Sequence, residues 1–312
     1  MSLPRDSKVY IAGHQGMVGS ALWRALEAAG FTQLIGRTRA ELDLRDPAAT
    51  DRFLRETEPD VIVIAAAKVG GIEANRTQPA EFLYDNQQIQ THLIHGAHTL
   101  GVRKLLFLGS SCMYPREAAQ PMAEADLGTG PLEPTNEGYA TAKVAGWKMC
   151  QAYRQQHGHD FITAIPTNLF GLNDHYEPGR SHVIPALIAK YHQAQTAGET
   201  CVTNWGTGAP QREFLNVDDA AAGCLHLLDH YSDAAPINIA GGTELSIRDL
   251  NEQIAALTGY TGEVLWDTDK PDGMPRKLLD DSRLKALGWS PKIGFAEGLE
   301  QAYADFRERM AT

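Results

Sequence analysis

Reactive side chains come directly after the apolar segment 105–108, within the sequence GSSCMYP. That segment is predicted to be a buried strand, and Ser110 and Cys112 stand two residues apart beyond its end. If the chain stays extended there, these two side chains face one way and Ser111 faces the other. A hydroxyl can hydrogen-bond a substrate oxygen, and a thiol can exchange protons near neutral pH. Ordinary turn chemistry for the serines and packing for the cysteine are the alternatives.

A second pair of reactive side chains lies in the sequence YATAK, at the start of a predicted helix over 139–157. Tyr139 and Lys143 are four residues apart, so they project from the same helix face. An ammonium group near a phenol favours the phenolate, and we therefore expect Tyr139 to exchange a proton near neutral pH. A YxxxK pattern alone is weak, because it occurs by chance in many proteins.

Three glycines lie between a predicted strand over 8–12 and the helix that follows it. A GxxGxxG loop at that position lets backbone N–H groups approach a pyrophosphate, and the helix N-terminus adds partial positive charge. The sequence therefore predicts a dinucleotide cofactor, with Lys143 also able to bond its nicotinamide ribose. The predicted contacts in the loop are Gly13, Gln15, Gly16, Met17, Val18 and Gly19.

The end of the second predicted strand bears on which dinucleotide is bound. NAD-binding proteins usually carry an acidic residue there, whereas this chain reads Gly36-Arg37-Thr38-Arg39. A guanidinium suits a 2′-phosphate, so NADP(H) is predicted, with Arg39 as the preferred contact and Arg37 in reserve. Two solvated loop arginines are the alternative.

Apolar segments that alternate with helical patterns predict an α/β fold, a doubly wound parallel sheet (Rossmann-like) with a smaller C-terminal substrate-binding lobe. We predict strands over 8–12, 33–36, 61–65, 104–108 and 161–166, and helices over 47–58, 79–100, 139–157 and 183–196. A further strand over 212–217, followed by a helix over 218–229, is expected to return to the main sheet. The predicted NADP-binding domain is 1–167 with about 213–240, and the predicted substrate lobe is 168–212 with 241–312.

Composition excludes several classes of function. The chain has 312 residues and a formal net charge of −11, which argues against nucleic-acid and anionic-membrane surfaces. No apolar stretch approaches the roughly 18 residues of a membrane span, and no apolar signal segment precedes the first strand, so a cytoplasmic protein is expected. The cysteines form no CxxC pair, and three of them, at 150, 201 and 224, are expected to pack as small apolar groups. His92, His95 and His98 are interpreted as a helix edge, and no metal site is predicted.

Taken together in order, these motifs resemble the extended short-chain dehydrogenases/reductases, and more closely the GDP-L-fucose synthase family. The resemblance covers nearly the whole chain and is carried by GHQGMVGSA (13–21), AAAKVGGI (65–72), LLFLGSSCMYP (105–115), LEPTNEGYATAK (132–143), PTNLFG (166–171), SHVIPALI (181–188), REFLNVDD (212–219) and KPDGMPRKLLD (270–280). It implies a homodimeric enzyme that epimerises C3 and C5 of GDP-4-keto-6-deoxy-D-mannose and then reduces C4 with NADPH.

The resemblance also implies a role for each reactive residue. Ser110 matches the serine that hydrogen-bonds the C4 oxygen, Tyr139 its proton donor and Lys143 the partner of that tyrosine. Cys112 and His182 match the pair that removes and returns protons in epimerisation. Further cofactor contacts are expected at Ala66, Leu108, Pro166, Asn168 and Leu169, and substrate contacts at Asn168, Lys190, Trp205, Arg212 and Asp272.

Elementary chemistry supports the pairing of a thiol with an imidazole. A C4 ketone acidifies the hydrogens at both C3 and C5, so one site can invert both carbons without releasing the sugar. Each inversion needs a base on one face of the ring and an acid on the other, and both groups titrate near neutrality. Which of the two is the base at each carbon stays open.

Two alternatives to this function remain. One is a relative that epimerises only C5 of the 3,6-dideoxy analogue on the way to GDP-L-colitose, which needs the same five residues. The other is a non-catalytic NADP-binding regulator on the same fold. Such proteins typically lose the tyrosine or the lysine, and this chain has both.

The glycine loop generates a prediction about cofactor preference. Related proteins often read GHRG where this chain reads GHQG, so the charge of an arginine is replaced by the neutral amide of Gln15. We expect a preference for NADPH with reduced discrimination against NADH, measured as the ratio of kcat/KM values. Equal kcat/KM values for the two cofactors would contradict the assignment of Arg39 to a 2′-phosphate.

Overall fold

The computed structural model describes residues 2–177, 181–270 and 272–311. Its strands are β1 (Lys8–Ala12), β2 (Gln33–Ile35), β3 (Val61–Ile64), β4 (Lys104–Leu108), β5 (Asp160–Pro166), β6 (Asn168–Phe170), β7 (Cys201–Trp205), β8 (Gln211–Asn216), β9 (Ile237–Ile239), β10 (Thr243–Ser246), β11 (Glu263–Asp267) and β12 (Arg276–Lys277). Its α-helices are α1 (Met17–Ala28), α2 (Pro47–Thr57), α3 (Ile72–Thr77), α4 (Pro79–Leu100), α5 (Glu137–His157), α6 (Val183–Ala197), α7 (Val217–His230), α8 (Ile247–Thr258), α9 (Ser282–Ala286) and α10 (Phe295–Ala311).

Six parallel strands form the main sheet, in the order β2-β1-β3-β4-β5-β9. Successive side chains of a strand point to opposite faces, and here both faces are apolar. Val9 and Ile11 join the core under α1 and α7, whereas Tyr10 and Ala12 join the core under α2, α4 and α5. Burial on both faces explains why the strands read as continuous apolar segments, and the predicted doubly wound α/β fold is confirmed.

A smaller lobe is built around a second sheet. In it β8 lies between β10 and β12 and also pairs with β6, while β7 and β11 form a separate parallel pair. Helices α6, α8 and α10 enclose a third apolar core that includes Ile188, Phe214 and Ile254. The lobe therefore has its own packed interior beside the main sheet.

The prediction that strand 212–217 returns to the main sheet is wrong. This strand is β8, and the sixth strand of the main sheet is β9. The buried carboxylate of Glu213 explains the difference, because it accepts hydrogen bonds from the N–H groups of Gly241, Gly242 and Leu279 at 2.7, 3.0 and 3.3 Å. These bonds hold β8 in the lobe, whereas α7 packs against α1 of the main sheet. The domain boundaries stay a prediction.

Smaller differences concern the ends of elements and one cysteine. Helix α2 ends at Thr57 because Glu58 adopts a left-handed conformation with φ of 47°. Helix α5 begins two residues before Tyr139, at Glu137. Cys150 and Cys224 are buried as expected, but Cys201 is exposed at the start of β7. The structure has no described helix long and apolar enough to cross a membrane.

The histidines of α4 contact neighbouring elements. His98 Nδ1 lies 2.7 Å from His159 Nε2, and His95 Nδ1 lies 2.7 Å from the hydroxyl of Tyr153. The ring of His157 lies near that of His98, tilted by 31°, with centroids 4.3 Å apart. Within residues 2–177, 181–270 and 272–311, no three histidine, cysteine or carboxylate side chains are arranged to hold a metal ion.

This histidine cluster predicts a loss of stability in mild acid. Loss of contact with water lowers the pKa of His98 and of His159, and the positive charge of His157 lowers both further. The unfolded chain therefore binds protons first as pH falls below the ordinary value of about 6.5. We expect a lower urea midpoint at about pH 5.5 than at about pH 7.5, because a pair of imidazolium rings has no acceptor for the shared hydrogen bond.

The matched test is the double variant His98→Asn/His159→Asn, whose amides can still hydrogen-bond to each other. Its midpoint should change less between the two pH values than that of the original chain. His230→Asn, at an exposed site on α7, serves as the control. An unchanged pH dependence in the double variant would show that other groups cause the loss.

Candidate active site

The chain turns sharply after β4, and the turn decides where the polar side chains of GSSCMYP lie. Ser110 is extended, but residues 111–113 form a single turn of 3-10 helix, so the prediction of an extended chain is wrong. The cause is a cap, in which Ser110 Oγ accepts a hydrogen bond from the N–H of Cys112 at 3.2 Å. Ser111 is buried by this turn, while Ser110 and Cys112 are half-buried.

Tyr139 and Lys143 lie one turn apart on α5, facing the end of β4. The hydroxyl of Tyr139 hydrogen-bonds to Ser110, and the ammonium of Lys143 donates to the carbonyl of Leu108 at 2.8 Å. Burial lowers the pKa of Lys143 to about 8. The structure thus brings Ser110, Tyr139 and Lys143 together around the carboxyl end of β4.

The expectation that Lys143 favours the phenolate of Tyr139 is wrong in this structure. Burial of the hydroxyl raises the pKa of Tyr139, and the neighbouring charge of a Cys112 thiolate raises it further, against the lowering effect of the Ser110 hydrogen bond. Lys143 Nζ lies 5.8 Å from the tyrosine ring centroid and donates a hydrogen bond to the Leu108 carbonyl instead. Tyr139 is therefore a protonated donor, which suits a group that gives its proton away.

The sulfur of Cys112 accepts hydrogen bonds from two side chains that sequence reasoning did not select. Asn136 Nδ2 lies 3.2 Å and Lys277 Nζ lies 3.4 Å from Sγ. Both residues fall within the quoted motifs LEPTNEGYATAK and KPDGMPRKLLD, and that position is the one signal that could have identified them. Two N–H donors therefore contact the thiol, one from the residue just before α5 and one from β12.

His182 is the N-cap residue immediately before α6 and is exposed. Nearby protein atoms that displace water lower the pKa of its imidazole, and the positive charges of His175 and Lys277 lower it further. The ammonium that contacts Cys112 thus also acts on His182, which places both predicted proton-transfer groups around Lys277.

The glycine loop has the shape that a dinucleotide pyrophosphate requires. Gly13 has a φ of 84°, and a side chain there would meet the Ala66 backbone at 2.8 Å. Helix α1 begins after Gly16 with no side-chain cap, so its first N–H groups are open to a ligand anion. These residues fit the pyrophosphate of a bound dinucleotide.

The remaining predicted cofactor contacts follow the carboxyl ends of the main-sheet strands. Ala66 comes after β3, Leu108 ends β4 and Pro166 ends β5. Asn168 and Leu169 lie beyond them in β6. Because ligands bind outside the carboxyl ends of parallel strands, these residues share one edge with the glycine loop.

The end of β2 carries an acidic side chain that sequence reasoning missed. The carboxylate of Glu41 accepts hydrogen bonds from Thr38 N and Oγ1 at 2.7 and 2.9 Å, and these bonds lower its pKa. Arg37 packs over the Phe53 ring and donates to the Gly36 carbonyl at 2.8 Å, and Arg39 is exposed. The segment after β2 therefore carries two guanidinium groups and one carboxylate.

Three of the predicted substrate contacts cluster on the lobe. Trp205 is 72% exposed at the end of β7, with Lys270 Nζ 5.8 Å from its ring centroid. The carboxylate of Asp272 holds the following loop by accepting from Thr207 N and Oγ1 at 2.9 and 2.7 Å. Burial lowers the pKa of Arg212, against the opposite effect of the Asp272 charge. The lobe therefore presents an exposed aromatic face at Trp205, next to Lys270, and a half-buried guanidinium at Arg212 near Asp272.

Lys190 and Asn168 make contacts within the lobe. Lys190 donates to Asn204 Oδ1 at 2.8 Å and to the Thr203 carbonyl, which supports β7 just before Trp205. Asn168 Nδ2 donates to the Glu213 carbonyl at 2.8 Å. Both side chains brace strands in the structure, and their predicted ligand contacts stay predictions.

The close packing of the glycine loop yields a test of the cofactor site. A Cβ at Gly19 would lie 2.0 Å from the Gly13 carbonyl oxygen, so Gly19→Ala must displace the loop. We expect dinucleotide binding to be weaker by about fivefold or more, because overpacking costs about 1–3 kcal/mol. Gly294→Ala is the control, since nothing lies within 4 Å of a Cβ there. Equal cofactor fluorescence titrations for both variants would contradict a cofactor site at this loop.

Comparisons with known proteins agree with this geometry. The NAD dependent epimerase/dehydratase family model matches residues 9–240. The chain is 52% identical over 299 residues to GDP-L-fucose synthase 1 of Arabidopsis thaliana, covering 96% of this chain and 93% of the relative. It is 48% identical over 310 residues to GDP-L-fucose synthase of Escherichia coli (strain K12), covering 96% and 97%.

A solved structure of a GDP-L-fucose synthetase from Naegleria fowleri bound to NADP superposes with a TM-score of 0.92 at 27% identity, covering 100% of this chain and 96% of that one. The predicted resemblance is thus confirmed over nearly the full length. The chain belongs to the NAD dependent epimerase/dehydratase family, one of the extended short-chain dehydrogenase/reductase families, and is similar throughout to GDP-L-fucose synthases.

Proposed function

We propose that this protein converts GDP-4-keto-6-deoxy-D-mannose to GDP-L-fucose by C3/C5 epimerisation and NADPH-dependent reduction at C4. The observation that carries the proposal is the position of Cys112, whose sulfur accepts from Asn136 and Lys277 beside the Ser110–Tyr139 pair. A plain reductase needs the serine, tyrosine and lysine but has no use for this thiol. The full-length similarity to GDP-L-fucose synthases supports the same function.

Reduction uses the residues around the end of β4. Ser110 and Tyr139 hydrogen-bond the C4 oxygen, and the raised pKa of Tyr139 keeps its proton in place until that oxygen gains negative charge. Bound NADPH supplies the hydride to C4. Lys143, with its pKa lowered to about 8, lies one helical turn from Tyr139, and its ammonium offsets part of the negative charge that the phenol gains when it donates its proton.

Epimerisation uses the same carbonyl with a different pair of groups. Removal of a proton from C3 or C5 leaves an enolate, and Ser110 and Tyr139 stabilise its oxygen in both cases. Cys112 and His182 remove the proton and return one to the opposite face. Because every step passes through one carbonyl, a single cleft serves both inversions and the reduction.

Lobe residues hold the rest of the substrate. Trp205 offers an exposed aromatic face to the guanine, and Arg212 provides positive charge for the diphosphate. Asp272 fixes the loop beside them, and Lys190 supports β7. The cofactor is NADP(H), with Arg39 and Arg37 directed at the 2′-phosphate, a choice supported by the NADP bound to the related Naegleria protein.

A homodimer in the cytoplasm is the proposed form of the enzyme. The proposed interface is formed by α4 and α5, which pack side by side on one face of the main sheet. Leu83 and Tyr84 on α4 are large apolar side chains with 38% and 61% of their surface exposed. A second copy of these two helices would cover them.

The test is a reaction of the purified enzyme with NADPH and GDP-4-keto-6-deoxymannose in D2O, followed by mass spectrometry and NMR of the product. We expect deuterium at both C3 and C5 of GDP-L-fucose. Deuterium at C5 alone, with turnover of the dideoxy analogue, would favour the GDP-L-colitose type of activity. Absence of turnover with either sugar would overturn the proposal.

The same experiment with Cys112→Ala separates the two half-reactions. We expect loss of deuterium incorporation with unchanged NADPH binding, because the thiol takes part in proton transfer and does not contact the glycine loop. Deuterium incorporation at the original rate would show that Cys112 only packs against its neighbours and takes no part in proton transfer.

A further inference from the structure

We propose that Lys277 is a positioning residue that acts through Cys112, holding it as a thiolate ready to remove a proton from the sugar. The proposal rests on the proposed function, in which Cys112 is one of the two proton-transfer groups. Lys277 comes from β12 in the smaller lobe, whereas Cys112 follows β4 of the main sheet. The positive charge of Lys277 therefore reaches Cys112 from the smaller lobe, whereas Cys112 itself belongs to the main-sheet side of the site.

The contact itself favours the anionic form of the sulfur. Lys277 Nζ lies 3.4 Å and Asn136 Nδ2 lies 3.2 Å from Sγ, so two N–H donors converge on one acceptor. A hydrogen bond from a cation to an anion is stronger than one between neutral groups, and a thiolate accepts better than a thiol. Both contacts therefore stabilise the thiolate relative to the thiol.

In the part of the chain that the structure describes, no carboxylate lies within ion-pair distance of Lys277. Among residues 2–177, 181–270 and 272–311, no ion pair involves this ammonium, although its neighbour Arg276 pairs with Glu244 through two contacts of 2.5 and 2.7 Å. Because Lys277 is half-buried, its field is less screened than that of a surface lysine. Among the side chains that the structure describes, Cys112 Sγ is the acceptor that this ammonium contacts.

Hydrogen bonds hold the backbone that follows Lys277, and they fix the position from which the lysine side chain extends. Leu278 N donates to Gln120 Oε1 at 2.8 Å, and Leu278 O accepts from Met122 N at 2.8 Å. Leu279 N donates to the buried Glu213 carboxylate at 3.3 Å. The lysine thus reaches the thiol from a strand that has little freedom to move away.

The same ammonium has a complementary effect on His182. Its positive charge contributes to the lowered pKa of that imidazole, behind the larger effect of lost water and beside the charge of His175. The imidazolium form of His182 is therefore less populated, but once formed it gives up its proton more readily. In the step concerned, the carbon loses a proton to the Cys112 thiolate, the enolate forms, and the imidazolium returns a proton to the other face. One proton leaves the sugar and one arrives, so charge and atoms balance.

The experiment measures the thiolate directly, without substrate. Iodoacetamide alkylation of Cys112 is followed by peptide mass spectrometry in a Cys201→Ser background, which removes the exposed competing thiol. With Lys277→Met, we expect the rate at about pH 7 to fall about tenfold, and the rate at about pH 10 to match that of the parent. Lys277→Arg should restore most of the rate at about pH 7.

Lys285→Met is the matched control, because it removes a lysine that pairs with Asp281 on α9. Its alkylation rate should equal that of the parent at both pH values. NADPH binding and thermal unfolding report whether each variant folds, and Lys277→Gln replaces Lys277→Met if the latter does not. An unchanged rate at about pH 7 in the folded variant would overturn the proposal.

Turnover separates this role from simple substrate binding. A positioning role predicts lower kcat for deuterium exchange with little change in KM, whereas a raised KM with normal alkylation would assign Lys277 to the substrate and contradict the proposal. If the original chain itself failed to turn over GDP-4-keto-6-deoxymannose, the proposed function would fail. The alkylation measurement would still decide whether Lys277 holds the thiolate.

Discussion

The carboxylate of Glu213 connects the two walls of the cleft. Only 1% of this residue is exposed, yet its two oxygens accept three backbone N–H bonds, from residues 241, 242 and 279. Its backbone carbonyl accepts from Asn168 as well. A buried carboxylate is costly without such partners, so these bonds must form together. They hold β6, β8, the segment after β9 and the residues after Lys277 in one arrangement, and the cleft depends on that arrangement.

Burial and neighbouring charges give the side chains at the end of β4 different protonation and hydrogen-bonding properties. Tyr139 loses contact with water and keeps its proton, and Lys143 is buried with a pKa lowered to about 8. Cys112 instead meets an ammonium and an amide N–H. A protonated phenol and a sulfur that accepts from two N–H donors therefore lie close to the end of β4. Negative charge at Cys112 also raises the pKa of Tyr139, after the larger effect of burial.

Many of these features could be predicted from the chain alone. The apolar strands, the GxxGxxG loop and the YxxxK pair are local patterns, and each specifies its own backbone conformation through burial, positive φ or helix spacing. The extended conformation after Gly109 was wrong because a side-chain cap on Cys112 N outweighs continuation of the strand. The assignment of β8 to the main sheet was wrong because the pattern of an apolar strand does not say which sheet it joins. Glu41 escaped notice because its carboxylate reaches Thr38 by folding back over three residues.

The sequence by itself determined the strand-and-helix alternation, the cofactor loop and the identity of the reactive side chains, since these depend on residues close together in the chain. The tertiary structure alone decided which distant groups act on them. Lys277 is 165 residues from Cys112, and Glu213 is 66 residues from Leu279, and no local pattern encodes either contact. The protonation state of a side chain is set by the water, charges and donors around it in space, and those neighbours are fixed when the lobe packs against the sheet.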